Sequence, residues 1–110
     1  MSNLSISEAQ KLVDEWISQF EVGYWPPLSM LAALVEEVGE LAKEINSLEG
    51  HKPKKSDDGE IDITMEMGDI LFALICLANH YDIGLDDALK QVMAKYDVRD
   101  SDRWERTEKP

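Results

Sequence analysis

The sequence predicts an all-α fold of four helices, and three observations support this prediction. Apolar residues recur at the three- and four-residue spacing of amphipathic helices along most of the chain. The breaks between these stretches contain proline or glycine, at Pro26-Pro27, at Gly50 and at Gly84. No stretch alternates apolar and polar residues as a half-buried strand does, and the chain has no internal repeat.

The first helix is predicted to begin at an N-cap, Ser5 or Ser7, and to end near Phe20. Glu8 lies three residues after Ser5, which is the spacing of a capping box. The apolar face of this helix is formed by Ile6, Ala9, Leu12, Val13, Trp16, Ile17 and Phe20.

A rigid connector and a second helix follow. Two consecutive prolines after Trp25 cannot continue a helix, so the second helix is predicted to start at Leu28 or Ser29 and to reach about Ser47. Gly50 is a suitable left-handed terminator. Trp25 could form a wall for a flat ligand, or it could simply cover an edge of the core.

The third helix is predicted from about Glu60 to Tyr81, after a flexible loop of acidic and basic residues at 49–59. The run from Ile70 to Ala78 contains no polar residue, so this helix is apolar nearly all round and is expected to be buried. The fourth helix should begin at Leu85 or Asp86, and a charged tail at 105–110 ends the chain. The apolar side of the fourth helix consists of Ala88, Leu89, Val92 and Tyr96.

The composition favours one acidic domain over residues 1–110, with its core at about 5–105. Against 23 Asp and Glu stand only 11 Lys and Arg, which gives a net charge of −12. This charge disfavours nucleic acid and anionic membranes as partners. The single cysteine, Cys76, cannot form an internal disulfide, and the first residues do not resemble a signal peptide. We therefore expect a cytoplasmic protein with no membrane partner.

Two acidic pairs are the candidate site. Glu37 and Glu40 stand three residues apart, as do Glu66 and Asp69, so each pair lies on one face of its helix. If the two helices face each other, four carboxylates point to one place. Like charges repel there and lose their hydration, so a bound cation is expected. The alternative for each pair alone is a solvated helix face.

The chemistry of carboxylates selects the cation. Clustered hard oxygen ligands favour Mg²⁺, or Mn²⁺, over zinc, which prefers histidine and cysteine. A cluster with more carboxylates than one ion needs can hold two or more ions that bridge a pyrophosphate and activate water for in-line attack. Lys95 and Arg99 stand four residues apart and could bind the outer phosphates. Three further lysines, Lys52, Lys54 and Lys55, are also available.

These residues predict metal-dependent hydrolysis of a phosphoanhydride, without naming the substrate. A rival hypothesis from another class is a non-catalytic acidic helical module, an oligomeric binding or regulatory protein whose metal site is structural.

The acidic motifs resemble those of a known family. Glu36-Glu37-Val38-Gly39-Glu40 and, further on, Glu66-Met67-Gly68-Asp69 resemble the Glu-x-x-Glu and Glu-x-x-Asp double motif of the MazG-type nucleotide pyrophosphohydrolases. Lys95-Tyr96 followed by Arg99 is also similar to that family, and the resemblance covers about residues 5–105.

The resemblance implies a four-helix MazG-like bundle, completed by dimerisation, of the all-α NTP pyrophosphatase superfamily. It implies cleavage of (d)NTP between the α and β phosphates to (d)NMP and pyrophosphate, with nucleotide-pool sanitation as the expected role. It also implies a homodimer or homotetramer. The implied metal ligands are Glu37, Glu40, Glu66 and Asp69, with Glu36 auxiliary, and the implied substrate-binding residues are Lys95 and Arg99. We add Trp25 as a candidate to stack on the base.

The sequence departs from many relatives at two positions. Cys76 and Met93 stand where those relatives carry asparagines that help to recognise the nucleotide. The preferred base and sugar therefore stay open, and a relative that prefers dUTP, dCTP or a phosphoribosyl nucleotide is a close alternative.

Overall fold

The computed structural model describes residues 3–50 and 62–107. These residues form four helices: α1 (Ile6–Ser18), α2 (Pro27–Leu48), α3 (Ile63–His80) and α4 (Leu85–Arg99). No strand occurs among the described residues, which confirms the all-α prediction. Most of the predicted loop at 49–59, the predicted start of the third helix at Glu60 and the end of the tail lie outside the described residues.

Local side-chain chemistry explains where the helices begin. The capping box of α1 is formed as predicted, because Ser5 Oγ accepts from Glu8 N and Glu8 Oε1 accepts from Ser5 N, both at 3.1 Å. α2 starts at Pro27, a position where the missing N–H would have had no helical partner. Asp62 caps α3 by accepting from Met65 N at 3.0 Å.

One residue after α2 and one after α3 adopt left-handed backbone. Gly50 follows α2 with φ +78°, as the terminator prediction required. After α3, the left-handed residue is Asp82, with φ 56°, although a glycine, Gly84, lies only two residues further on. A short polar side chain tolerates this region better than other non-glycine residues do. Gly84 instead has a φ of −80° and serves as the N-cap of α4.

Each helix packs on one or two of the other helices. α2 and α3 share the most extensive interface, α1 packs on α3, and α4 packs on α1. In the described part of the chain, α4 has no comparable contact with α2 or α3. Few apolar residues of the described chain are buried: Met30, Ala73, Ile75, Cys76 and Ala78.

The prediction that the third helix is buried is wrong for a single chain. α1 and α2 cover only one side of α3, so Leu71 on the other side stays 53% exposed. α2 also carries an uncovered apolar stripe, in which Val35 is 62% exposed. The exposed residues of the α2 stripe are Leu31, Val35, Val38, Ala42 and Ile45, and those of the α3 stripe are Met67, Leu71 and Leu74.

α3 is long and apolar enough to cross a membrane by length and composition alone. One such helix is weak evidence, because the core helices of water-soluble proteins meet the same criterion. The expected absence of a membrane partner stays a prediction.

A hydrogen-bonded glutamine connects α1 to the start of α4. Gln10 Nε2 donates to Asn79 Oδ1 at 3.0 Å and to the Ile83 carbonyl at 2.8 Å. Gln10 Oε1 accepts from Leu85 N at 2.9 Å. One side chain thus forms hydrogen bonds with Asn79 near the end of α3, with the connector at Ile83 and with a free N–H in the first turn of α4. The direction in which α4 leaves α3 depends on this residue.

Tyr24 extends this network into the connector before α2. Its hydroxyl donates to Asp14 Oδ1 at 2.7 Å and accepts from Asn79 Nδ2 at 3.0 Å. The pKa of Tyr24 is raised to about 12. The main cause is removal of the hydroxyl from water, and the second is its hydrogen bond to Asp14. The connector is therefore held against α1 and α3 by a protonated phenol.

We expect Tyr24→Phe to lower the free energy of unfolding by about 1 kcal/mol at neutral pH, since it removes two hydrogen bonds of the hydroxyl. Because the folded-state pKa is raised, this stabilisation is complete below pH about 10 and is lost as the pH rises through about 12. Urea unfolding of both proteins at pH 7 and pH 11 measures the difference. Tyr81→Phe, at an exposed tyrosine, is the matched control and should change stability by less than about 0.5 kcal/mol.

Candidate active site

Three of the four predicted carboxylates meet where α2 packs on α3. One oxygen each of Glu37, Glu66 and Asp69 lies within 4.8 Å of the other two. Glu66 and Asp69 share a face of α3 because they stand three residues apart, and the interface with α2 brings Glu37 to the same place. Glu37 and Glu66 are half-buried, whereas Asp69 is exposed.

Glu66 experiences the strongest electrostatic cost in this cluster. Removal from water raises the pKa of Glu66, and the charges of Glu37, Asp69, Glu40 and, least of all, Glu44 raise it further. Glu66 Oε2 is covered from solvent and has no hydrogen-bond partner among the described residues. An acceptor atom buried in this way is costly unless a positive group binds it.

The other two predicted carboxylates lie outside the cluster of three. Glu40 is exposed and near enough to raise the pKa of Glu66, but none of its oxygens joins the cluster. Glu36 is exposed and does not join it either. Their roles as ligand and auxiliary ligand stay predictions.

Glu44 is a candidate that the sequence analysis missed. It is only 9% exposed, and its charge also acts on Glu66. Its position seven residues after Glu37 and four after Glu40 is the signal that could have identified it, because these three lie on one face of α2.

An apolar cavity of about 240 Å³ opens beside the carboxylates. Glu37 and Asp69 border it, and Trp25, which is 57% exposed, forms part of its wall. The remaining lining is mostly apolar and includes Met30, Ala33, Phe72, Ala73 and Cys76. Burial raises the pKa of the Cys76 thiol, so the cavity contains a neutral sulfur and no thiolate.

The structure does not bring the predicted basic residues to the carboxylates. Lys95 and Arg99 are exposed on α4 and neither borders the apolar cavity. Both cations lie over the ring of Tyr96, at 4.9 and 4.6 Å from its centroid. Arg99 Nη2 also donates to Asp100 Oδ2 at 2.9 Å. In one chain, the predicted site is therefore divided between two regions.

The family described as the MazG nucleotide pyrophosphohydrolase domain matches residues 26–104, which include both acidic pairs and α4. The chain belongs to the MazG nucleotide pyrophosphohydrolase family. The enzyme class predicted from the resemblance is thereby confirmed, and the chain is a hydrolase that acts on phosphoanhydrides.

Two proteins of Bacillus subtilis are similar to this chain in sequence. The chain is 48% identical to YpjD of Bacillus subtilis (strain 168) over 108 residues, 98% of this chain and 97% of YpjD. It is 24% identical to YvdC of the same strain over 102 residues, 87% of this chain and 96% of YvdC.

Two crystal structures have the same fold. That of YPJD from Bacillus subtilis, described as a candidate pyrophosphatase, has a TM-score of 0.78 and 47% identity, over 87% of this chain and 98% of that one. That of the Bacillus-conserved MazG protein, a nucleotide pyrophosphohydrolase, has a TM-score of 0.77 and 44% identity, over 94% of this chain and 100% of that one. These similarities confirm the MazG-like four-helix fold, and MazG membership implies a nucleotide substrate and a divalent metal.

We expect Glu66→Gln to raise the melting temperature of the metal-free protein, because it removes a charge that is desolvated among other carboxylates. The same change should remove most of the stabilisation by Mg²⁺ or Mn²⁺, which at one hundred times the Kd amounts to about 2.7 kcal/mol in the wild type. Thermal unfolding in chelator and in excess metal measures both effects. The control is Glu15→Gln on α1, an exposed glutamate outside the cluster, which should behave as the wild type does. Equal stabilisation of Glu66→Gln and wild type by metal would exclude Glu66 as a ligand.

Proposed function

We propose that this MazG protein is a Mg²⁺-dependent nucleoside triphosphate pyrophosphohydrolase that cleaves (d)NTP between the α and β phosphates. The products are the (d)NMP and pyrophosphate, and the proposed role is nucleotide-pool sanitation. The observation that supports the proposal is a cluster of three carboxylates, Glu37, Glu66 and Asp69, at the edge of an apolar cavity.

The donor set fits a hard divalent cation. The clustered atoms are carboxylate oxygens, which Mg²⁺ and Mn²⁺ prefer, and the cluster contains neither histidine nor cysteine. The buried Oε2 of Glu66 has no partner in the described residues, as expected of an atom that waits for a positive ligand. When bound, the ion supplies charge neutralisation and a lowered pKa for coordinated water.

The protein residues then have separate tasks. Glu37, Glu66 and Asp69 hold the metal, with Glu40 available at the open side of the cluster. A nucleotide with its phosphates at this cluster can place its base in the neighbouring cavity. The cavity volume of about 240 Å³ is below the about 300–1,000 Å³ of whole ligand pockets, so it suits the base and leaves the phosphates at the carboxylates.

Trp25 and Cys76 determine how the base is held in this proposal. The Tyr24 hydroxyl already has partners in Asp14 and Asn79, so it has little hydrogen-bonding capacity left for a base. Stacking on Trp25 and apolar contact are the main remaining interactions, since Cys76 is only a weak donor. The preferred nucleotide therefore stays open, and dUTP, dCTP and a phosphoribosyl nucleotide are the alternatives.

We further propose that the protein is a homodimer or a homotetramer. The exposed stripes on α2 and α3 have the spacing of helix-packing faces and have no covering element in the described chain. Burial of these stripes against a second copy would complete the four-helix bundle.

Product analysis tests the reaction. We expect wild-type protein with Mg²⁺ to convert members of a panel of NTPs and dNTPs to monophosphate and pyrophosphate, and a chelator to abolish this. Asp69→Asn should reduce turnover by at least about 100-fold while circular dichroism retains the helical signal, because one metal ligand is weakened. Glu15→Gln is again the control and should leave turnover unchanged.

Two results would contradict the proposal. Diphosphate and phosphate as products would mean that the wrong bond is cleaved. Full turnover by Asp69→Asn would remove the carboxylate cluster from the reaction.

Base stacking on Trp25 has its own test. Nucleotide should change the fluorescence of Trp25, whereas pyrophosphate, which has no base, should leave it unchanged. Trp25→Phe should lose this response, and Trp104→Phe, outside the cavity, should retain it. Equal responses to nucleotide and pyrophosphate would exclude stacking as the cause.

A further inference from the structure

The connector between α1 and α2 forms one wall of the apolar cavity. Three consecutive residues of this connector, Gly23, Tyr24 and Trp25, line the cavity, and the other lining residues all lie on α1, α2 or α3. The backbone of a helical residue is held by the hydrogen bonds of its helix, whereas a connector has no such regular support. The shape of this wall therefore depends on the few contacts that hold the connector.

Trp25, the candidate to stack on the base, is not held by contacts of its own side chain. This side chain is more than half exposed, and in the described part of the chain it makes no hydrogen bond and no contact with another ring. Its backbone is restricted instead, because Pro26 follows it and favours an extended conformation for the preceding residue. The position of Trp25 is therefore determined by the residues on either side of it, Tyr24 and Pro26.

The Tyr24 hydroxyl attaches the connector to the helices. At the far end of the connector, the Pro26 carbonyl accepts from Met30 N at 3.1 Å in the first turn of α2. At the near end, Gly23 has a φ of +62° and no atom within 4 Å of where a Cβ would lie, so this position does not restrict the chain by packing. The bonds of Tyr24 to Asp14 at 2.7 Å and from Asn79 at 3.0 Å connect the wall to α1 and α3 at once.

Both partners of this hydroxyl lie outside the cavity. Asp14 is exposed on α1, Asn79 is half-buried near the end of α3, and neither borders the cavity. The amide of Asn79 is held by Gln10, because its Oδ1 accepts from Gln10 Nε2 and its Nδ2 donates to the Gln10 carbonyl, both at 3.0 Å. The same Nδ2 donates to the hydroxyl of Tyr24, so the proton of that hydroxyl is directed to Asp14. A distance of 2.7 Å is typical of a strong bond from a hydroxyl to a carboxylate.

We propose that Asp14 is a positioning residue for the base site and acts through the hydroxyl of Tyr24. Together with Asn79, it holds the connector so that Trp25 stands at the edge of the cavity, where the base binds. This inference rests on the proposed function and adds a residue outside the cavity that determines how tightly the base is held. When the hydroxyl loses a partner, the wall is in place for only part of the time, and the apparent affinity for nucleotide falls by that fraction.

Two substitutions of Asp14 separate its hydrogen bond from its charge. Asp14→Ala and Asp14→Asn remove the same negative charge, but only the asparagine retains an oxygen that can accept from the Tyr24 hydroxyl. Calorimetry with Mg²⁺ and the α,β-methylene analogues of dATP and dUTP, one purine and one pyrimidine, measures the Kd. We expect Asp14→Ala and Tyr24→Phe to raise the Kd about fivefold, as the loss of one hydrogen bond would, and Asp14→Asn to stay within about twofold of the wild type. In turnover assays, Asp14→Ala should raise KM and leave kcat unchanged, because the carboxylate cluster is intact.

Two controls distinguish positioning from a general loss of stability. Inorganic tripolyphosphate with Mg²⁺ has phosphates but no base, so Asp14→Ala and Tyr24→Phe should bind it as the wild type does. Ser5→Ala removes the N-cap of α1, far along the chain from the connector, and should lower the melting temperature about as much as Tyr24→Phe does. Because Ser5 does not border the cavity, this variant should retain the wild-type Kd for the analogues.

The outcomes separate this inference from the proposed function. A wild type that binds the analogues but hydrolyses no nucleotide overturns the proposed reaction, while the comparison of Asp14→Ala with Asp14→Asn still decides the positioning role. An active wild type whose Asp14→Ala variant binds the analogues as tightly as Asp14→Asn does overturns the positioning role alone. Equal losses of affinity for the analogues and for tripolyphosphate also overturn it, since the effect would not arise at the base. A wild type that binds neither analogue overturns both proposals.

Discussion

The repulsion among carboxylates at the contact of α2 and α3 is the constraint on which the rest of this structure depends. The most extensive helix interface of the chain brings Glu37 against Glu66 and Asp69. Packing energy thus opposes an electrostatic penalty, which is expressed in the raised pKa of Glu66 and in its Oε2, an atom with no hydrogen-bond partner among the described residues. In the proposed enzyme, binding of a divalent cation would turn this penalty into affinity, because the ligands are already assembled before the metal arrives.

The small core of a single chain has a related consequence. Only five apolar residues are buried in the described chain, and α3 packs on α1 and α2 with one side while its other side stays open. An apolar helix next to a charged site is stable in water only if something covers it. In the proposed dimer, one interface would cover both apolar stripes.

The position of α4 follows from a few polar contacts at its start. Gln10 forms hydrogen bonds both with Asn79 near the end of α3 and with the first turn of α4. Tyr24, which lines the cavity, also bonds to Asn79 and so joins this network. The network therefore connects the start of α4 with the wall of the cavity.

The sequence by itself determined the four helices, their caps at Ser5 and Gly50, and the family, because caps and helix periodicity depend on neighbours within a few residues. It also determined which carboxylates share a helix face, since three-residue spacing is a local property. The tertiary structure alone decided that Glu37, Glu66 and Asp69 meet while Glu40 stays outside, that Glu44 is buried, and that Lys95 and Arg99 lie apart from the cluster. It also decided that α3 is half exposed. Distances between helices arise from packing and from long-range hydrogen bonds such as that of Gln10 to Leu85, and no local spacing contains them.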